Sequence, residues 1–234
     1  MNDLAKTPVT PLSFVPNRTV KGLKDPGSAV THFIALIMAI IGTIPLLLKA
    51  AKNPNMLYLF SAAIFMGSMI LLYAASTTYH SLGLSKQKNR RLRKIDHMMI
   101  SVLIAGSYTP ICLLVLNGST GQILCMLVWS VALLGILVKA VWITCPKWFS
   151  SVLYIGMGWL CVFAFKPLYN ALSPAAFRWL LTGGIIYTLG GIIYALKLPL
   201  FNAKHKYFGS HEIFHLFVMG GSLCHYIMMY QYVV

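Results

Sequence analysis

The sequence predicts an all-α membrane protein, a seven-transmembrane helix bundle with a cytoplasmic N-terminus and its C-terminus outside. Hydrophobic residues make up 58% of the 234 residues and charged residues only 10%, whereas a soluble domain has about 45–50% apolar and about 25% charged residues. Seven runs are long and apolar enough to supply the roughly 20 residues that a membrane-spanning helix needs. Basic residues are concentrated between alternate runs.

The predicted elements follow one another with short polar connections rich in Gly, Pro, Asn and Ser, which commonly end apolar helices. Residues 1–27 are polar and proline-rich and lack the apolar core of a signal peptide, so we interpret them as a cytosolic tail. Residues 28–234 form one transmembrane domain. Its spans are residues 28–48, 55–79, 95–116, 121–143, 149–168, 176–198 and 211–233, and the charged run Lys86–Lys94 is assigned to a loop.

The charge pattern sets the predicted orientation. The chain has 19 Lys and Arg residues against 4 Asp and Glu, a formal net charge of +15. Of these basic residues, 15 lie in the tail and in the second, fourth and sixth connections. Because Lys and Arg accumulate in cytoplasmic loops, these segments are expected inside the cell and no nucleic-acid partner is expected. The 5 cysteines form no CxxC pair, so neither a disulfide framework nor a thiolate metal site is predicted.

Histidine and acidic residues gather at the predicted cytosolic ends of the helices, although they come from distant parts of the chain. Ionisable side chains in membrane spans are costly and mark functional sites by default. The group near this face is His32, His80, Asp96, His97, His211 and His215, whereas His225 lies deep toward the outer side. The roles of His32, His97 and His225 stay open.

A metal site is predicted from part of this group. His211 and His215 are spaced i, i+4 in HEIFHLF, which places both imidazoles on one face of a helix. Two such rings can bind one Zn²⁺, with His80 as the third ligand and a fourth position open for water. The alternative is a pair of ordinary interfacial histidines. The metal site is favoured because His80 and Asp96 are predicted to lie at the same membrane depth as this pair.

Two further residues are candidates for catalytic roles. Ser76 lies one helical turn before His80 and could hydrogen-bond a substrate carbonyl, although a serine in a membrane helix often bonds its own i−4 carbonyl. Asp96 could orient a water molecule and move its proton. Alternatively, Asp96 could be a helix-start acid neutralised by Arg93 or Lys94.

Several stretches carry a family resemblance. They are Asp25-Pro26 to Thr31-His32, Ser76 to Ser81, Ile95-Asp96-His97, Gly106 to Pro110, Gly158-Trp159, Gly190 to Tyr194 and His211 to His225. In this order they resemble the hemolysin III family, the bacterial branch of the progestin and adipoQ receptor superfamily. The resemblance implies a multi-pass protein of the bacterial plasma membrane, with zinc held by His80, His211 and His215 and the site completed by Ser76 and Asp96. One departure is Asp25, where many relatives carry Glu.

Four functions stay open at this stage, and the oligomeric state is not predicted. Zinc near the inner headgroups would suit hydrolysis of an amide or ester bond in a membrane lipid. The resemblance implies ceramide-like amides and a role in membrane lipid homeostasis, and the hemolysin name implies a lytic pore. The HExxH pattern His211–His215 matches a metalloprotease signature with Glu212 as general base. The short outer loops suit a receptor only for a lipidic ligand.

Overall fold

In the computed structural model, residues 23–116, 118–196 and 208–234 are described. These residues contain seven helices that are long and apolar enough to cross a membrane, and no strand beyond an isolated bridge. The helices are α1 (Pro26–Ala50), α2 (Met56–Ser81), α3 (Lys86–Leu116), α4 (Gly118–Val141), α5 (Lys147–Ala171), α6 (Pro174–Leu196) and α7 (Ser210–Val233). The predicted all-helical, seven-span architecture is confirmed, while its orientation in the membrane stays a prediction.

The largest difference from the sequence prediction is at the start of α3. The run Lys86–Lys94, predicted as a loop, is helical. Lys, Gln and Arg are good helix formers, and their hydrated side chains allow the helix to continue beyond the apolar segment. Asp96 therefore lies well inside α3, in its third turn. The prediction that Asp96 starts a helix is wrong, because hydropathy marks the membrane boundary and not the helix end.

The end of the predicted tail packs on the bundle. Leu23 pairs with Leu82 in an isolated antiparallel bridge, and the backbone N–H of Asp25 donates to the carbonyl of His80 at 2.9 Å. Residues 23–25, which we call the strap, thus join the start of α1 to the end of α2. Residues 1–22 of the tail, and residues 197–207 of the sixth connection with His205, lie outside the described residues.

Close approach between α6 and α7 depends on glycine. A Cβ atom on Gly183 would come within 2.4 Å of the His225 ring, and one on Gly190 within 2.7 Å of Phe217. Real Cβ atoms do not approach this closely, so these positions accept only a residue without a side chain. Small residues at helix contacts in membranes allow this backbone proximity, which sets α7 against α6 along its length.

Tyr108 of α3 is inserted into α5. The segment Trp159–Ala164 is a tighter 3₁₀ stretch within α5. The Tyr108 hydroxyl accepts a hydrogen bond from the Cys161 N–H at 3.0 Å and donates to the Gly158 carbonyl at 2.5 Å. A side chain that enters the helical hydrogen-bond ladder is a usual cause of such irregularity, and here it fixes α5 against α3 beside a cavity.

Candidate functional site

Three histidines come together at one end of the bundle. The candidate ligand nitrogens of His80, His211 and His215 all lie within 4.8 Å of one another. Nε2 of His211 is 3.4 Å from Nε2 of His80. Two nitrogens bound to one tetrahedral zinc at about 2.0–2.1 Å would lie about 3.4 Å apart. The donor set and its spacing therefore fit a metal ion, and we call these three residues the histidine cluster.

Two hydrogen bonds orient the histidine cluster, and neither partner was predicted as a site residue. Nδ1 of His80 lies 3.1 Å from Oδ2 of Asp25, and Nδ1 of His215 lies 3.2 Å from Oγ1 of Thr31. A partner at Nδ1 leaves Nε2 available, and metal-binding histidines usually have one. Asp25 and Thr31 both lie in the first of the stretches that carry the family resemblance. Their place in that stretch is the sequence signal by which they could have been recognised as site residues.

The strap supplies a charged acceptor behind His80. Half-burial alone would raise the pKa of Asp25, but the hydrogen bond from His80 and the Lys24 ammonium, 3.5 Å away, outweigh it and hold that pKa below its ordinary value. Burial lowers the pKa of Lys24, although Asp25 opposes the shift. Lys24 also donates to the Tyr79 carbonyl at 2.6 Å and lies over the Tyr79 ring. These contacts tie the strap to the end of α2.

Ser76 lines an apolar cavity of about 200 Å³ that also reaches His211 and His215. The Ser76 hydroxyl is buried and has no hydrogen-bond partner within the described parts of the chain. The alternative in which this hydroxyl bonds its own helix is therefore wrong. Buried polar atoms are nearly always satisfied by protein, water or ligand, so the unpaired hydroxyl makes Ser76 a candidate for contact with a bound molecule.

Asp96 is buried and lines the same cavity. Its Oδ2 lies 3.0 Å from Nδ1 of His97, which gives that histidine a role as the partner of Asp96. Lys94 donates instead to the carbonyl of Ala140, so the structure does not place it as the counter-ion of Asp96. One carboxylate oxygen of Asp96 is thus held by His97, and Asp96 is one of the residues that line the cavity.

His32 adds a fourth imidazole beside the histidine cluster. Its ring stacks on that of His215, with 3.6 Å between centroids and 10° between planes. His32 is buried, lines the cavity, and has neither ring nitrogen paired by any residue that the structure describes. The stacking fixes one face of the His215 ring, a contact that sequence spacing could not show.

Glu212 caps α7. Its Oε2 accepts from the backbone N–H of Gly209 at 2.8 Å, the usual role of an acid three residues into a helix. Its Oε1 accepts from the Ser28 hydroxyl, and Glu212 is not one of the residues that line the cavity. These bonds use both carboxylate oxygens and count against Glu212 as the general base of a metalloprotease.

Comparison with known proteins places this arrangement in a family. The family model described as Haemolysin-III related matches residues 21–226, a range that contains every residue of the site. The chain belongs to the Haemolysin-III related family. Together with its seven apolar helices, this membership makes it a multi-pass bacterial membrane protein, as the sequence predicted.

Individual relatives agree with this assignment. The chain is 40% identical over 207 residues to the Hemolysin-3 homolog of Bacillus subtilis, covering 88% of this chain and 93% of the relative. It is 36% identical over 208 residues to Hemolysin-3 of Bacillus cereus, covering 88% and 90%. A more distant relative is the adiponectin receptor protein of Drosophila melanogaster, 29% identical over 183 residues, which covers 70% of this chain and 40% of that protein.

Proposed function

We propose that this Haemolysin-III related protein is a zinc-dependent membrane hydrolase that cleaves an amide or ester bond in a membrane lipid and so contributes to lipid homeostasis. One observation carries the proposal: two members of the histidine cluster, His211 and His215, line a mainly apolar cavity, and His80 lies beside them. A membrane lipid has a matching arrangement, because its polar linkage adjoins its hydrocarbon chains.

The residues at the polar end each have a task in this reaction. The histidine cluster would hold the zinc, which when bound polarises a carbonyl and lowers the pKa of a water molecule toward about 7. The free donor of Ser76 Oγ would bond to the substrate carbonyl oxygen. Asp96 would accept a proton at the carboxylate oxygen that His97 does not hold, and would return it to the leaving group.

The shape of the cavity supports a lipid as substrate. Along α6 its lining extends from Phe177 to Tyr194, a length of about 26 Å of helix. This is close to the roughly 30 Å thickness of the hydrocarbon core. The side chains between these limits are mainly apolar, so an extended acyl chain can lie in the cavity with its linkage at the histidine cluster.

Zinc content and hydrolysis, measured on the same samples, test the proposal. Wild-type protein in lipid nanodiscs should contain stoichiometric zinc and release fatty acid from a panel of N-acyl and O-acyl lipids, detected by mass spectrometry. His211→Ala should lose both zinc and activity, and Asp96→Asn should keep zinc but lose turnover. Glu212→Gln, the control, should keep both. Wild-type protein without zinc, or full hydrolysis in the first two variants, would contradict the proposal.

Pore formation is a second candidate, favoured by the name Hemolysin-3 of the Bacillus cereus relative. A conducting path needs polar lining through the whole membrane. In the described part of the chain, the cavity lining remote from the histidine cluster is mainly apolar, with few polar groups such as His225 and Tyr187. A pore would therefore require several copies of the protein. Single-channel recordings with purified protein in planar bilayers distinguish this function from hydrolysis.

A further inference from the structure

A lysine, a cysteine and a serine form a polar group where α4 is connected to α5. Lys139 lies in the last turn of α4, Cys145 in the connection that follows, and Ser150 in the first turn of α5. The Lys139 ammonium is 3.0 Å from Sγ of Cys145 and also donates to the Ser150 hydroxyl. None of these residues lines the cavity. We call the three residues the thiol site, which is separate from the histidine cluster.

The buried ammonium of the thiol site has no carboxylate counter-ion. Lys139 is 1% exposed, and no carboxylate oxygen in the described part of the chain lies within ion-pairing distance of its Nζ. Burial of an unpaired charge is costly, so buried cations are usually paired with an anion. Among the described residues, the Cys145 thiol is the one ionisable group that this ammonium contacts by a hydrogen bond. The thiolate of Cys145 is therefore the counter-ion that the site offers.

Hydrogen bonds stabilise the charged form of Cys145. Burial alone would raise the pKa of its thiol, but the Ser150 hydroxyl, 3.3 Å away, and the Lys139 ammonium outweigh burial and hold that pKa below its ordinary value. The thiolate, and not the thiol, is the form that reacts with oxidants. Cys145 is 7% exposed and its neighbours Thr144 and Pro146 are exposed. The sulfur thus lies just below the surface of the connection, within reach of an oxidant close to water in size.

We propose that Cys145 is a peroxide-reactive thiol and that its oxidation joins it covalently to Lys139. The thiolate attacks one oxygen of hydrogen peroxide, the O–O bond breaks, and the departing hydroxide takes a proton from the Lys139 ammonium to form water. The sulfur is oxidised to a sulfenic acid while the peroxide is reduced. The Lys139 amine then attacks this sulfur, which forms an S–N bond and releases a second water molecule, as in known condensations of sulfenic acids with nitrogen.

The geometry of the thiol site favours this second step over other fates of the sulfenic acid. The two atoms to be joined are already 3.0 Å apart, so the bond forms without a rearrangement of helices. Cys145 has no hydrogen-bond contact with a second thiol in the ranges described, so no neighbouring cysteine is placed to form a disulfide. Oxidation also removes the charge that balances the ammonium. Loss of the ammonium proton to hydroxide therefore keeps the buried site neutral overall at each stage.

Peptide mass spectrometry on peroxide-treated protein tests the inference. The purified full chain in lipid nanodiscs is treated with hydrogen peroxide, its remaining thiols are alkylated, and it is digested with trypsin. Trypsin cuts after a free lysine, so the linkage should abolish cleavage at Lys139 and remove the peptide of residues 140–147. Dithiothreitol, added before alkylation, should restore both.

Cys224 is an internal control for the rate of oxidation. It is 7% exposed, as Cys145 is, but burial raises the pKa of most such thiols and no ammonium among the described residues contacts it. An ordinary thiol is only a few per cent thiolate at neutral pH. Cys145 should therefore be oxidised at least about tenfold faster than Cys224.

Two variants separate the steps. Lys139→Arg keeps the positive charge but removes the amine, so Cys145 should still be oxidised and its sulfenic acid should accumulate and react with dimedone. Lys139→Met should lose both the linkage and the rapid oxidation. Wild-type Cys145 that reacts no faster than Cys224, or that takes up oxygen while trypsin still cuts after Lys139, would overturn the inference. The wild-type result decides without the variants, and it needs neither zinc nor lipid hydrolysis.

Discussion

Removal of the Asp25 carboxylate tests how the histidine cluster is held. Asp25→Ala deletes the acceptor 3.1 Å from Nδ1 of His80, while the backbone hydrogen bond between the same two residues remains available. Loss of such an outer partner typically weakens metal binding about 10–100-fold. The Asp25 side chain is 34% exposed, so water can partly replace it. We therefore expect the lower end of this range, about tenfold or about 1.4 kcal/mol.

Competition for zinc with a chromophoric chelator measures this effect on purified protein, after circular dichroism has shown that each variant is helical. Asp25→Asn keeps an acceptor without the charge and should lose less affinity than Asp25→Ala. Glu212→Gln is the matched control, because this carboxylate bonds to Gly209 and Ser28 and not to an imidazole. An unchanged affinity in Asp25→Ala, or equal losses in the alanine variant and in the control, would refute the assigned role of Asp25.

Three further predictions concern packing and thiol reactivity. Gly121→Ala should lower the thermal unfolding midpoint, because its Cβ would lie 2.0 Å from a backbone carbonyl oxygen of α3. Gly67→Ala should leave the midpoint unchanged, because its Cβ would have no atom within 4 Å, and equal midpoints for the two variants would contradict this reasoning. Ser222→Ala should lower the free energy of unfolding by about 2 kcal/mol, since the hydroxyls of buried Tyr73 and half-buried Tyr187 share this partner; wild-type stability would disprove it. Burial alone would raise the pKa of Cys145, but its hydrogen bonds, one of them from Lys139, outweigh burial and lower that pKa. Lys139→Met should therefore slow the alkylation of Cys145 by iodoacetamide at neutral pH, and an unchanged rate would exclude this effect.

The histidine cluster was predictable because polar residues in apolar spans are few. The i, i+4 spacing of His211 and His215 is a local pattern, and an alternating topology brings the end of α2 to the start of α7. The partners of these rings were not predictable in the same way. Asp25 and Thr31 act across helices that are distant in sequence, and the stacking of His32 depends on side-chain packing that no spacing encodes.

Other differences have equally physical causes. Lys139 was counted with the basic residues of the fourth connection, although it falls within the predicted span 121–143, and in the structure it lies inside α4 and is 1% exposed. Its ammonium is 3.0 Å from Sγ of Cys145 and also donates to the Ser150 hydroxyl, so polar contacts replace hydration. His225 was recognised as deep, but its packing against Gly183 and Tyr187 depends on how α6 and α7 approach each other. Local composition predicts the membrane spans, whereas the hydrogen-bond partners of buried polar atoms are decided only when the helices pack together.

The origin of the ligands along the chain has a consequence for biosynthesis. Two imidazoles of the cluster belong to α7, the third belongs to α2, and the groups that orient them precede or begin α1. Protein synthesis is N-terminal first, so the nascent polypeptide presents His80 and Asp25 long before His211 and His215 leave the ribosome. Capture of an ion by all three rings must therefore wait until the seventh helix has been inserted, which makes metallation one of the last events in maturation.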